Sequence, residues 1–422
     1  MGPLAGALLA VVAIQDVTVI DPFYRAVLEG HTVVIRDGVI ADVSRGKAPP
    51  GARVIDGKGK FLIPGLWDSH VHLTKAGAGV LPVFLAHGVT SVRDLGSDHE
   101  EVLGWRREIE AGKRVGPRIK TSGRILEDRS RIERMLREGG VEPVARIRMP
   151  VGSEAEAREA VRALKRAGVD LIKMRTAPNE GTFLAAVDEA RKLGLPFAAH
   201  PMAKPEVLFR SGLGTVEHGL MFPPNAEPDF QKRMALYQKM ARSGLRLSTT
   251  LVNLEGSLLI SYEDAKRRML RRPKYISDYL FRDWAEQVEE KKEMPADLVA
   301  KLAPDLVREV REMGMARVPM MAGTDLAVAF IEPGVSLHEE LRTLVQDAEL
   351  SEMDALRAAT SEPAAYFGMQ KSLGGILAPG QIADLVLLDA NPMKDITNTR
   401  RIAGVMQGGR WFDRKALDRL LQ

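Results

Sequence analysis

The segment 65-GLWDSHVHL-73 reads as a short apolar strand that ends in two imidazoles. Side chains two apart on a strand share a face, so His70 and His72 both project inward. Two imidazoles on one face at a strand's end form half a metal site. Downstream, apolar strands alternate with helical patterns, the signature of a parallel βα repeat. Eight candidate strands follow from this reading: Leu62–Leu73, Ser91–Leu95, Arg118–Ser122, Leu171–Arg175, Phe197–His200, Thr215–His218, Arg246–Leu251 and Met320–Asp325. Intervening stretches such as 181-GTFLAAVDEARKLG-194 carry apolar residues at helical spacing and end at Gly. Eight strand–helix units predict an α/β fold whose parallel sheet closes as a (β/α)8 TIM barrel.

The texture differs at both ends of the chain. The runs 14-IQDVTVID-21, 32-TVVIRDG-38, 39-VIADVS-44 and 53-RVIDGKGKFLI-63 alternate β-branched residues with Asp-Gly turns, which predicts an antiparallel sheet. The same texture returns in 383-ADLVLLD-389 and 402-IAGVMQGGRWF-412. The expected organisation is therefore a small composite β-sandwich domain from residues 1–62 and 368–422 around a barrel at 63–367. A Lys/Glu-rich helical insertion at about 261–315 is expected to form a lid or an oligomer contact.

Composition narrows the chemistry. The chain has 422 residues, against roughly 250 for a barrel alone, so a second unit fits. Its net charge is only +4, with basic residues interleaved among acids as in 106-RREIEAGKR-114. No aromatic-plus-basic stripe accompanies them, so no nucleic-acid partner is expected. With no Cys, any metal must be held by His, Asp, Glu or a modified Lys. Leu4 to Ile14 is apolar but far shorter than the ~20 residues of a spanning helix. The first basic residue is Arg25. A clipped export signal and a lead-in to the first strand both stay open, and with them an exported or a cytoplasmic location.

The remaining His residues complete the half site. His200, His218 and Asp325 end the fifth, sixth and eighth expected strands, and Lys173 lies within the fourth. Active sites of barrels sit at the C-terminal ends of the strands, where loops can vary without disturbing the core. Neutral imidazole suits Zn2+ and similar metals. Such a metal brings the pKa of its water to roughly 7, and Asp325 is the carboxylate placed to take and return the proton. Burial would favour the neutral amine of Lys173. A neutral amine can add carbon dioxide, giving a carbamate able to bridge two metals.

These residues resemble the amidohydrolase superfamily, in its two-metal branch with prolidase-like and imidazolonepropionase-related members. The resemblance covers nearly the whole chain. It rests on 61-FLIPGLWDSHVHL-73, 88-GVTSVRDLG-96, the Lys173, His200, His218 and Asp325 positions, 359-ATSEPAAYFGM-369 and 379-PGQIADLVLLDANP-392. It implies His70, His72 and Asp325 on one divalent ion, His200 and His218 on a second, and carbamylated Lys173 between them. The ions would be Zn2+ by ligand type, with Mn2+, Co2+ or Fe2+ compatible. The implied reaction is hydrolysis of an amide or peptide-like C–N bond by metal-bound hydroxide, with Asp325 as general base and then acid. The same machinery can act as a lactonase, esterase or phosphotriesterase, and a non-catalytic scaffold is a third reading. Prolidase-like relatives tend to have a longer loop where Lys173 and His200 are here 27 positions apart, so a different pocket is expected.

Several residues have plain structural readings beside the functional ones. Arg175 should face the mouth and meet a substrate carboxylate or an ion-pair partner. His338 opens a helix after the eighth strand and is a candidate substrate contact. Asp68 is a candidate support for His70. Arg93 and Asp94 are expected to serve an internal ion pair in preference to a substrate contact, and His87 to end a helix before a capping Gly. The expected ligand is a small molecule or short peptide. Its identity and the oligomeric state are not written in the sequence.

Overall fold

The computed structural model describes residues 11–138, 144–219, 227–293 and 296–422. All eight expected parallel strands are present. They are β1 (Leu66–Val71), β2 (Val89–Asp94), β3 (Arg118–Thr121), β4 (Ile172–Met174), β5 (Phe197–Ala199), β6 (Thr215–Glu217), β7 (Arg246–Thr249) and β8 (Met320–Ala322). Strands β1–β3 form one parallel arc and β4–β8 another. At one seam Val71 bridges Leu326 in parallel, and the Asp325 and His72 amides donate to the carbonyls of His70 (2.7 Å) and Leu326 (3.1 Å). At the other the Asp170 amide donates to the Thr121 carbonyl at 2.9 Å. The fold is thus a mixed α/β fold with parallel sheets.

Two short strands were not expected. Ile125–Asp128 and Arg148–Val151 pair in parallel, and Leu126 joins them to Met174 at the end of β4. The buried ion pair of Arg148 with Glu127 sits between them.

The two chain ends join in one eight-stranded sheet. Val12–Asp21 pairs antiparallel with Ala26–Arg36, but parallel with Arg53–Asp56 and Phe61–Pro64, so the sheet is mixed where an antiparallel one was expected. Leu385–Leu388 pairs with Phe61–Pro64, which brings the C-terminal strands beside the N-terminal ones. Val12, Ile14, Val33, Ile35, Leu385, Leu387 and Met406 pack in a core of this sheet alone. Ala13 is fully buried in its first strand, so the C-terminal part of the apolar leader is strand. Residues 4–10 of that leader lie outside the described residues.

The expected strand Leu62–Leu73 is in fact two. Phe61–Pro64 belongs to the end sheet and β1 to the arc, with Gly65 as the hinge between them. A Cβ on Gly65 would stand 2.1 Å from Thr90 Oγ1, so only glycine lets the chain pass β2 here.

The 261–315 insertion is helical, with helices Tyr262–Met269, Asp278–Glu290 and Ala296–Met315. Among the described residues no helix is long and apolar enough to cross a membrane.

Glu340, on helix Val335–Gln346, is fully buried and accepts the Val252 amide at 2.7 Å. Burial pushes its carboxyl up to about 7. A raised carboxyl favours the folded state below its unfolded value, and that contribution is lost as pH rises through about 7. Urea unfolding should therefore show stability falling between about pH 5 and pH 8, with Glu340 contributing on the order of 3 kcal/mol. Glu340→Gln should flatten that fall; an unchanged slope contradicts the assignment.

Candidate metal centre

Five of the eight parallel strands deliver side chains to one place. His70 is in β1 and His72 just beyond it; Lys173 is in β4; His200 and His218 directly follow β5 and β6; Asp325 lies three residues past β8. Short apolar strands end there because the polar residues that follow cannot continue the core. His218 and Asp325 turn out of their strands with φ of 72° and 57°. Left-handed backbone is costly for non-glycine residues and gathers at functional sites.

His70 Nε2 and His72 Nε2 lie 3.5 and 3.2 Å from Asp325 Oδ1, and His218 Nε2 lies 3.9 Å from Asp325 Oδ2. The ligand atoms of His70, His72 and Asp325 all fall within 4.8 Å of one another, a group able to hold a metal ion. The His200 ring is 5.0 Å from the His218 ring, which is 4.8 Å from the His70 ring. His70 is closed from solvent, whereas His72, Asp325 and His218 keep 14, 17 and 23 % of their side chains exposed. The open face of the cluster is therefore theirs.

Three of the four imidazoles are oriented from behind. His70 Nδ1 is 2.9 Å from Glu217 Oε2, His72 Nδ1 is 3.2 Å from the Gly96 carbonyl, and His218 Nδ1 is 2.8 Å from Thr250 Oγ1. Carboxylate and carbonyl can only accept, so Nδ1 of His70 and His72 carries the proton. That leaves the Nε2 lone pairs pointing into the cluster, the tautomer a metal ligand needs. Burial lowers the His70 pKa to about 3 and puts His200 well below its usual value, with the Lys173 charge adding to both. His70, His200 and His218, whose pKa burial also lowers, are therefore neutral at pH 7. For Asp325, burial would raise the pKa, but the interaction with the adjoining His70, the His72 hydrogen bond and His218 outweigh it, so the carboxyl lies well below its usual range.

Lys173 is buried and, among the described residues, its Nζ has no hydrogen-bond partner. Burial is the main cause that brings its amine down to about 8, opposed by Glu217 and aided by Arg93. An unpaired polar atom at this depth costs free energy, so the site is built for something that the amine alone does not satisfy.

The supporting residues were mostly missed by sequence reading. Glu217 is fully buried and takes two bonds from Arg93, at 3.0 and 2.8 Å. Arg93 thus forms an internal ion pair, as expected, with Glu217 as its partner. Asp94 instead accepts from Ser97 Oγ and Thr121 Oγ1, both at 2.6 Å, and from the Leu73 amide at 2.9 Å. Asp68 supports the site as expected: it accepts the Thr324 amide (3.0 Å), Thr324 Oγ1 (2.6 Å) and the His70 amide (3.3 Å), clamping β8 to β1. Gly323 makes this approach possible, since a Cβ there would stand 2.7 Å from His70 Cβ. Arg93→Leu would strand the Glu217 charge in the interior. It should destabilise the protein by roughly 3–5 kcal/mol in urea unfolding; a loss below about 1 kcal/mol would show that the pair is not what holds Glu217.

His338 is a correction. Its ring nitrogens bond Thr399 Oγ1 (2.9 Å) and the His87 carbonyl (3.0 Å), and it is buried, so it serves packing and not substrate. Its helix begins after β8 but runs back beside the strand-entry side of the fold, where His87 ends a helix as expected before Gly88 with φ of 76°. Arg175 follows β4, and its charge bears on Lys173 and His200.

The model of the amidohydrolase family matches residues 61–412, which contain every residue of this cluster. The chain belongs to that family. This amidohydrolase is therefore a hydrolase of the C–N bond class, in a family that generally uses divalent metals. It is 27% identical to a dihydroorotase of Anaeromyxobacter dehalogenans, over 90% of this chain and 88% of that one. It is 24% identical to the ochratoxinase of Aspergillus niger, over 83% of this chain and 75% of that one. Among solved structures it is similar to a candidate prolidase from Bifidobacterium longum, with a TM-score of 0.75 at 25% identity over 98% and 99% of the two chains. A prolidase complexed with N-methylphosphonate-L-proline gives a TM-score of 0.72 at 26% identity over 96% of this amidohydrolase and 100% of that chain.

Proposed function

We propose that this amidohydrolase cleaves an amide or peptide-like C–N bond at a two-metal site. His70, His72 and Asp325 would hold one ion, His200 and His218 the other, and Lys173, carbamylated by carbon dioxide, would lie between them. The observation that carries the reading is the buried, unpartnered Lys173 amine beside neutral imidazoles. Such a donor set fits divalent ions: His70, His200 and His218 are neutral, Nε2 of His70 and His72 faces the cluster, and Asp325 is ionised. Zn2+ suits the set best, with Mn2+, Co2+ and Fe2+ compatible. Bound there, the ions would supply acidified water and a Lewis acid for the carbonyl oxygen.

The chain's own residues do the rest. Asp325 sits on the open face, accepts a proton from the attacking water and returns it to the leaving amine. Glu217 and Arg93 keep the His70 ring fixed through the reaction. Arg175 would meet a substrate carboxylate. The Val71–Leu326 and Asp170–Thr121 contacts support reading the two arcs as one (β/α)8 barrel. The end sheet, with its own core, is read as the composite β-sandwich of 1–62 and 368–422, its inner border moved to Gly65. The named relatives, dihydroorotase, ochratoxinase and prolidase, point to the same bond class. A panel of an N-acyl amino acid, a dipeptide, a lactone and a phosphotriester tests the reading. Amide or peptide turnover that disappears with a chelator and returns with Zn2+ is expected; turnover of the lactone or phosphotriester alone contradicts it.

A further inference from the structure

A cavity of about 320 Å³ has His218 and Thr250 in its lining, so it adjoins the cluster. Its walls come from the stretch after β7, from helix Phe230–Ser243 and from helix Ala296–Met315 of the insertion. The insertion thus contributes a wall of the cavity beside the metal site.

The lining is strongly apolar: Leu236, Leu251, Leu254, Leu258, Leu302 and Leu306. The charged residues on its border are already engaged. Arg233 is held by Glu312 at 2.7 and 2.8 Å, and Arg308 by Asp305 at 2.8 Å. Glu227 accepts the Asp229 amide at 3.1 Å, and Glu309, itself buried, also has a partner. A charged group entering the cavity would lose its water and find these partners taken. An uncharged apolar group loses nothing and gains contact with six leucines. The volume is roughly twice the ~150 Å³ that accepts a benzene ring, so an arylalkyl or long branched alkyl group fits.

We infer that the substrate carries, on one side of its scissile bond, a bulky uncharged apolar substituent that fills this leucine cavity. This inference rests on the hydrolase reading above and adds the substrate class to it. The cavity adjoins His218, so the substituent would enter as the scissile group reaches the cluster. The insertion helix then acts as a specificity wall.

The test uses the full-length, Zn2+-loaded protein and two substrate arms. One arm varies the acyl group of N-acyl-L-alanines through acetyl, isovaleryl and 4-phenylbutyryl. The other keeps acetyl and varies the amino acid through alanine, leucine and phenylalanine. In one arm kcat/KM should rise by at least roughly 100-fold from smallest to largest, since each well-placed methylene is worth about tenfold or more. Leu306→Trp, which fills the cavity, should cut that ratio at least tenfold; Leu302→Phe on the same helix makes the same test if the first variant does not fold. Two flat arms, or a ratio untouched by both variants, overturn the inference while leaving the hydrolase reading intact. Absence of turnover in both arms counts against the hydrolase reading instead. The cavity is then read by the affinities of 4-phenylbutyrohydroxamate and acetohydroxamate: at least tenfold tighter binding of the former supports the inference, and equal or absent binding overturns it.

Discussion

Asp325→Asn is expected to lower kcat/KM by roughly 10²–10⁴-fold on the amide that turns over, the range a positioned general base contributes. Asparagine keeps the shape and one carbonyl-type oxygen but cannot take a proton. In the native chain the carboxyl is held below its usual range against its own burial by the adjoining His70, the His72 hydrogen bond and His218. It also sits on the part of the cluster that solvent reaches. On the function proposed above, these two facts suit it to act as a base near neutral pH within reach of a substrate. The loss should fall mainly on kcat, because the proton is moved in the transition state and not in binding. Metal content measured on the same sample separates this role from simple loss of an ion. A variant with both ions and full activity contradicts the assignment.

The second large effect concerns Lys173. Lys173→Met should cost at least roughly 100-fold in activity, the upper end of what even indirect ligand supports cost, and should lower the metal content per chain. Its effect on the metal-free protein should be the opposite. The native amine is buried without a partner, and methionine fills the same space with no polar group to desolvate. The metal-free variant should therefore be as stable as the native chain, or more so, in urea unfolding. A structural lysine would behave in the reverse way, losing stability while keeping the metal. The carbamate adds one further expectation: reloading the metal-free native protein in carbon-dioxide-free buffer should leave it short of metal until bicarbonate is added.

The sequence carried the parallel strands and the metal-site residues because both are written in local pattern. A strand such as β6 is only three residues long, yet its β-branched Thr215 and Val216 and the glycine after His218 mark it. What escaped was whatever depends on which strand lies opposite. Glu217 looks like one charge in a short strand, and only the tertiary fold shows Arg93 reaching across from β2 to pair with it. His338 was misplaced for a related reason. Its position after β8 suggested the mouth, while its helix carries it back to Thr399 and His87. The extra pair Ile125–Asp128 and Arg148–Val151 escaped because each strand is four residues long and carries buried charge, Glu127 against Arg148, that reads as loop. The leucine cavity has no sequence signal either: its six leucines come from three separate segments, and each segment alone reads as an ordinary amphipathic face.

The central claim is that this cluster holds two ions. It is tested most directly by elemental analysis of protein purified without chelators or affinity metals, with ions counted per chain by plasma mass spectrometry. The account predicts close to two divalent ions per chain, removable by a chelator together with activity. A chain that is active with no stoichiometric metal would contradict it.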